Sequence, residues 1–100
     1  MADQPTIPVH PPIRLGDMAP GFRGRILALA PDAAPGTLPP DELERRLVEM
    51  GFVEGEAVEL RHQGPLGRDP IAVRIGTATF GLRRREARAI LVIPGDGTPA

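Results

Sequence analysis

The spacing of apolar residues predicts a helix followed by strands in the middle of the chain. Leu43, Leu47 and Met50 recur at i, i+4 and i+7 and therefore share one face of a helix of about ten residues. Beyond this helix the period shortens to two. The apolar positions of the second pattern are Val58, Leu60, Ile71, Val73 and Ile75. A period of two is that of strands with one buried face.

Five strands are predicted in total, at residues 22–30, 57–62, 71–75, 78–82 and 89–93. Residues 64–70, which begin Gly64-Pro65-Leu66-Gly67, are expected to form a turn, and Gly76 with Thr77 a two-residue hairpin turn. Residues 83–88 are expected to form one helical turn, with Ala87 pointing inward. The chain is therefore expected to be mainly β: a small five-stranded barrel with one short α-helix and a helical turn.

The ends of the predicted helix carry typical signals. Asp41 is a candidate N-cap, with Glu44 three residues later in a capping-box arrangement. Gly51 stands where a left-handed residue ends a helix.

Proline-rich segments border and interrupt the predicted domain, which is expected at residues 14–93. Residues 1–13 predict a disordered leader, with a docking peptide as the alternative. Residues 31–40 contain four prolines and predict a flexible loop, either a functional lid or a tolerated insertion. Residues 94–100 are expected to be a flexible tail.

Charge and composition exclude several classes of protein. The formal net charge is −1 and the aromatic residues are three phenylalanines, which argues against a nucleic-acid-binding module. Cysteine is absent, so there are no disulfides, which suits a reducing compartment. No apolar run approaches the roughly 20 residues of a membrane helix, so no direct membrane insertion is expected and the predicted location is cytoplasmic.

The chain shows no enzyme motif, and threonine supplies its only side-chain hydroxyl groups. No catalytic residue and no metal ligand is assigned, and His62 is interpreted as a surface residue. Glu54, Glu56 and Glu59 lie close together and are interpreted as a solvated acidic rim. Carboxylates from a partner chain would be needed to complete a weak divalent site, for example for Fe²⁺. No other cofactor is predicted.

A set of short motifs, in a fixed order, covers residues 15–92. The motifs are Leu15, Pro20-Gly21, Gly24 and Ile26; Arg46-Leu47, Met50-Gly51-Phe52 and Gly55; Gly64-Pro65-Leu66-Gly67 and Asp69-Pro70; Leu82-Arg83, Glu86-Ala87, Ile90 and Val92. In this order they resemble the FeoA domain. The chain departs from the family pattern at three places. Glu54 stands where the family has proline, Arg68 is an insertion in its Pro-Leu-Gly-Asp-Pro turn, and the segment at residues 31–40 is longer than in compact members.

The resemblance implies an SH3-like β-barrel without catalytic activity. It also implies an accessory or regulatory protein of ferrous iron uptake, which binds the cytosolic GTPase portion of an FeoB-type membrane transporter. Similar domains stand at the C-terminus of DtxR-type repressors, so the alternative is a metal-responsive regulatory module that binds a divalent transition metal. A homodimer is also compatible with the chain, because small barrels leave exposed strand edges.

The surface expected to contact the partner combines the flank of the helix with the turn at residues 64–70. Its predicted members are Leu47, Met50, Leu66, Arg68, Arg83, Arg84 and Arg85. Leu66 is the expected apolar anchor and the arginines form its charged rim. The alternatives are that Leu66 caps the barrel and that the arginine run is a solvated face.

Overall fold

A computed structural model describes residues 13–31 and 38–95 of the chain. Its helices and strands follow one another in this order: β1 (Ile13–Arg14), a 3₁₀ turn (Leu15–Asp17), β2 (Arg23–Leu29), α1 (Pro40–Met50), β3 (Ala57–Leu66), β4 (Asp69–Ile75), β5 (Ala78–Leu82), α2 (Arg84–Ala87) and β6 (Ile90–Pro94). The predicted leader up to residue 12, residues 32–37 of the predicted loop and the tail from residue 96 lie outside the described residues.

The strands form one antiparallel sheet in the order β1-β6-β2-β3-β4-β5. The mainly β architecture is as predicted, but the described residues form six strands rather than five. The additional strand is β1, which pairs Ile13 with Val92 and Arg14 with Leu91. Two residues are too few for an alternating pattern, so the sequence placed Ile13 in the leader instead.

A β-bulge in β2 changes the face on which its side chains lie. The pairing with β6 skips one residue between Ile26 and Ala28. Ile26 is buried, but Ala28, two residues later, is exposed, and Leu29 packs against the core instead. A bulge adds one residue to one strand of a pair, so the side chains beyond it change sides.

Helix α1 begins differently from the prediction and ends as predicted. Its first residue is Pro40, whose missing N–H costs nothing at that position, and no side chain caps the start. Asp41 is therefore inside the helix, where its carboxylate accepts from the Glu42 N–H. At the other end Gly51 is left-handed (φ 108°), the Gly51 N–H donates to Val48 O and the Phe52 N–H to Leu47 O. These two bonds form a Schellman motif.

Strands β3 and β4 extend through most of the segment predicted as a turn. The pairing continues past Gln63 opposite Ile71 to Leu66 opposite Asp69, with an irregularity in between that accommodates Pro65. Proline lacks the N–H that a regular ladder requires and is found at such irregular positions. The connection itself is therefore only Gly67 and Arg68, and Leu66 stands at the end of a long hairpin.

The core lies under the sheet and is built from aliphatic side chains with one phenylalanine. Its buried members are Leu15, Ile26, Leu43, Leu47, Phe52, Val58, Leu60, Ile71, Val73, Ile75, Leu82, Ala87, Ala89, Ile90 and Val92. Phe52 follows α1 directly, and its ring lies 6.0 Å from that of Phe80 on β5, centroid to centroid. The described residues include no buried polar or charged side chain, so hydrophobic packing alone holds this interior.

Candidate functional site

The apex of the β3–β4 hairpin, residues 66–69, is the most exposed apolar feature of the described chain. Leu66 is 84% exposed, more than any other large hydrophobic side chain described. Gly67 and Arg68 both have positive φ, 69° and 64°. Two successive left-handed residues produce a tight turn whose twist matches that of the flanking strands. Leu66 therefore projects from a compact turn and not from a long loop.

Arg84, at the start of α2, holds this apex with its side chain. Its Nε–H donates to the carbonyl oxygen of Arg68 (2.7 Å), and its Nη2 to Oε1 of Gln63 (2.7 Å). Its backbone N–H donates to Oδ1 of Asp69 (2.8 Å). Both strands of the hairpin are thus hydrogen-bonded to one residue.

The same guanidinium also contacts the 3₁₀ turn at the start of the chain. Nη1 donates to the carbonyl oxygens of Gly16 (3.0 Å) and Met18 (2.7 Å). Arg84 therefore links three segments that lie far apart in sequence: the 3₁₀ turn, the hairpin apex and α2. Guanidinium has five N–H donors in a rigid plane, which suits it to join several acceptors at once.

Two glycines allow the backbones around Arg84 to approach one another. A Cβ at Gly16 would lie 2.2 Å from the Arg84 carbonyl oxygen and 2.7 Å from the Arg88 nitrogen. A Cβ at Gly64 would lie 2.2 Å from the carbonyl oxygen of Asp69, across the hairpin. Any side chain at either position would force these segments apart.

The surroundings of the apex are rich in arginine. Arg68, Arg83 and Arg85 are exposed, and the carboxylate of Glu86 accepts from the Arg83 N–H. The carboxylate of Asp69 is engaged by the backbone of Arg84. The apex thus carries an exposed apolar side chain two residues before the exposed Arg68, and it is bonded to Arg84, whose sequence neighbours Arg83 and Arg85 are exposed.

The structure brings together only part of the predicted contact set. Leu66, Arg68 and Arg84 meet at the apex, and Arg83 and Arg85 flank Arg84 in sequence. Leu47, on α1, is 1% exposed and belongs to the core, so its assignment to the contact surface is wrong. Met50 is half-buried and packs against the same core. Both lie on the apolar stripe that α1 must bury against the sheet.

The alternative that the arginine run is a solvated face is wrong for Arg84, because its guanidinium hydrogen-bonds to three carbonyl oxygens and one side-chain amide. Sequence reasoning missed Gln63 as a member of the site. Its amide meets Arg84 across 21 residues of chain, a separation for which no local pattern gives a signal.

The predicted acidic rim is divided by ion pairs. Glu59 lies 3.6 Å from Arg23 on β2 and 3.6 Å from Arg61 on β3, while Glu54 and Glu56 are exposed. Among residues 13–31 and 38–95 no group of three or more His, Cys, Asp or Glu side chains is arranged to hold a metal ion. The described residues thus do not fit a metal site. In the same ranges no helix has the length and apolarity needed to cross a bilayer.

Comparison with known proteins matches this chain to one family. The model of the FeoA domain matches residues 13–94. The crystal structure of Stenotrophomonas maltophilia FeoA complexed with zinc, described as a procaryotic SH3 domain protein, is 31% identical with a TM-score of 0.67. The similarity covers 81% of this chain and 89% of that chain. The predicted SH3-like, mainly β fold is thereby confirmed.

Two further solved structures are similar to this chain, one at higher and one at lower sequence identity. The solution structure of iron(II) transport protein A from Clostridium thermocellum is 40% identical with a TM-score of 0.64, over 80% of this chain and 44% of that one. A manganese-dependent transcriptional repressor is 22% identical with a TM-score of 0.68, over 88% of this chain and 44% of the repressor. At that identity the repressor shows a shared fold only. The comparison with curated protein sequences gave no match.

Proposed function

Since this chain belongs to the FeoA family, whose members are associated with ferrous iron transport, we propose that it is an accessory protein that binds the cytosolic GTPase portion of an FeoB-type transporter. The S. maltophilia relative has been suggested to act as a ferrous iron transport activating factor. FeoA is not a known enzyme family, and an accessory protein acts by contact. In this proposal the protein works at the cytoplasmic face of the membrane.

The observation that carries the proposal is the exposure of Leu66 at the braced hairpin apex. Leu66 is 84% exposed, so a partner that covers it removes apolar surface from contact with water. Full burial of such a side chain contributes about 1.5–3 kcal/mol to the free energy of binding. The backbone beneath it is held by hydrogen bonds from Arg84. Binding energies concentrate in such anchors when they fill a pocket on the partner.

The arginines around Leu66 indicate the chemistry of that pocket. Arg68, Arg83 and Arg85 are exposed beside the apex. An apolar pocket with acidic residues at its rim would be complementary to this surface in both shape and charge. Exposed pairs of this kind add little affinity individually, but they accelerate association and exclude positively charged partners.

The test is a calorimetric titration of the full chain into the purified cytosolic domain of the transporter, with and without GTP. We expect binding in the micromolar range or tighter. Leu66→Ala should weaken it by about tenfold or more, since the lost burial is worth at least one factor of ten. Val48→Ala is the matched control, because Val48 is a half-exposed (45%) apolar residue on α1, away from the apex.

Two results would contradict this proposal. The first is the absence of binding heat and of a complex at high micromolar concentration, both with and without GTP. This result would show that the transporter domain is not the partner. Binding that Leu66→Ala leaves intact and Val48→Ala weakens would move the contact surface to α1.

The second candidate function is a metal-responsive regulatory module, alone or as a homodimer. Its support is the fold shared with the manganese-dependent repressor. The described residues offer no cluster of ligands for a divalent ion, which is why this function ranks second. Anaerobic calorimetry with Fe²⁺ and with Mn²⁺ distinguishes the two functions, because the accessory role predicts no strong heat from either metal alone.

A further inference from the structure

We propose that Arg84 is a positioning residue, which makes no contact with the partner and instead fixes the hairpin apex so that Leu66 is presented in its binding orientation. This inference rests on the proposed function, because it assumes that Leu66 is the anchor. It assigns to Arg84 a role different from that of the exposed arginines on either side.

The first step is that the hairpin lacks core packing beyond the pair formed by Gln63 and Ile71. Ile71 is buried in the core and also pairs with Leu82 on β5, so core support reaches this point and no further. From residue 64 to residue 70, no side chain is buried. A two-stranded ribbon without a hydrophobic face is only marginally ordered in water. Something else must hold the apex in place.

The second step is that Arg84 supplies this support on both strands. Its side chain bonds Gln63 on β3 and the carbonyl oxygen of Arg68 in the turn, and its backbone N–H bonds Asp69 on β4. Three separate points fix the position of the apex as well as its distance from α2. A single contact would leave the ribbon free to rotate about it.

The third step is that the other end of the brace is itself anchored. The 3₁₀ turn that accepts from Nη1 contains Leu15, which is fully buried, and Gly16, which packs directly on the α2 backbone. Asp17 of the same turn forms an ion pair with Arg88, and the Arg14 side chain donates to the Arg88 carbonyl oxygen (2.9 Å). The guanidinium therefore connects the apex to a part of the molecule that is held by the core.

The fourth step concerns the charge of Arg84. All acceptors of its side chain are neutral, three backbone carbonyls and one amide, and no carboxylate among the described residues pairs with the guanidinium. The positive charge is therefore not cancelled by an ion pair. It adds to the field of the exposed arginines at the apex, while the side chain makes four hydrogen bonds to the protein itself.

The consequence for binding follows from pre-organisation. A partner that captures Leu66 from a mobile ribbon must order the ribbon, and this cost is subtracted from the affinity. With the brace intact, most of that ordering is complete before the partner arrives. Removal of the brace should therefore weaken binding through Leu66 without a loss of contacts to the partner.

The test compares Arg84→Gln with Arg85→Gln in the full chain, because Arg85 is the adjacent arginine, exposed, and makes none of these bonds. Amide hydrogen exchange is the first readout and needs no partner. We expect exchange at residues 66–69 to accelerate at least tenfold in Arg84→Gln, with the amides of β2 and β6 unchanged. Arg85→Gln should leave the apex at its original rate.

Affinity for the transporter domain is the second readout, measured in a double-mutant cycle with Leu66→Ala. We expect Arg84→Gln to weaken binding about five- to tenfold in the original chain and to have little further effect once Leu66 is alanine. A residue that bonded the partner directly would lower affinity equally in both backgrounds. If Arg84→Gln fails to fold, Gln63→Ala removes one bond of the brace at an exposed position and should show the same pattern at smaller amplitude.

The outcomes separate this inference from the proposed function. Unchanged apex exchange in both Arg84→Gln and Gln63→Ala, or an affinity loss that persists undiminished in the Leu66→Ala background, would overturn the positioning role. Binding that is insensitive to Leu66→Ala, together with accelerated apex exchange in Arg84→Gln, would instead overturn the proposed contact and leave the brace established.

Discussion

The two ends of the β3–β4 hairpin are built on different physical principles. At its base, Val58 pairs with Ile75 and Leu60 with Val73, and all four side chains are buried in the core. At its apex, Leu66 is exposed and the backbone is held by hydrogen bonds from Arg84. One continuous pair of strands thus passes from hydrophobic packing to polar bracing within a few residues.

This difference shows how a small fold can separate stability from binding. Packing at the base contributes to the free energy of unfolding of the whole domain, because all four of these side chains belong to the hydrophobic core. Hydrogen bonds at the apex are exposed or only partly buried and contribute little net stability, but they are directional and fix a geometry. Substitutions at the base should therefore change stability, and those at the apex should change presentation.

The largest effect is expected from the same substitution made at both ends of β3. Leu60→Ala removes a fully buried side chain and should lower the free energy of unfolding by about 2–5 kcal/mol. Leu66→Ala, six residues along the same strand, should change it by no more than about 0.5 kcal/mol. Urea unfolding followed by circular dichroism measures both. An equal loss of unfolding free energy in the two variants would contradict the proposed difference between base and apex.

An intermediate effect is expected at the junction between the two halves. Gly64→Ala places a Cβ 2.2 Å from the carbonyl oxygen of Asp69, so the strands must separate there at a cost of about 1–3 kcal/mol. Gly81→Ala, on β5, is the control, because a Cβ at that position meets no atom within 4 Å. Denaturant midpoints should fall for the first variant and stay close to the original for the second. An unchanged midpoint for Gly64→Ala would show that this close approach is not a constraint.

The smallest effect is expected in the turn itself. Arg68 has φ 64°, a conformation that costs an ordinary L-residue roughly 1 kcal/mol and asparagine less. Arg68→Asn should therefore raise stability by a few tenths of a kcal/mol to about 1 kcal/mol, and the carbonyl that accepts from Arg84 remains in place. Arg68→Ala loses the same charge without that conformational preference and should bring no gain. A thermal melt that shows equal midpoints for the two variants would contradict this account.

Much of the fold follows from local pattern in the sequence. The i, i+4, i+7 stripe of α1, the left-handed Gly51 and the alternation in β4 are all properties of neighbouring residues, and the structure contains each of them. The bulge in β2 and the length of β3 could not be predicted in this way. The bulge in β2 has no characteristic residue type, so the sequence does not reveal it. Gly64 and Pro65 are residue types typical of turns, although both lie in a strand here.

The candidate site was predictable only in part, for a related reason. Leu66 and Arg68 were identified because glycine and proline marked an exposed segment around them. Arg84 was assigned to this region, but its bonds to Gly16 and Met18 were not predicted, because these acceptors are 68 and 66 residues away in sequence. Long-range hydrogen bonds to backbone carbonyls carry no residue-type signature at the accepting positions, so no motif reveals them.

The pleat of the hairpin sets the increments in which its length can change. Each strand residue advances the chain by about 3.3 Å, and successive side chains point to opposite faces. One residue inserted into each strand beyond Gln63 would turn the apex leucine to the other face, whereas two would restore its direction and move it outward by about 7 Å. Arg84 has a fixed reach, and its bonds to Gln63 and to the Arg68 carbonyl would not survive such an extension together. The bonds of Arg84 therefore match one hairpin length, and a longer hairpin would present its leucine without this support.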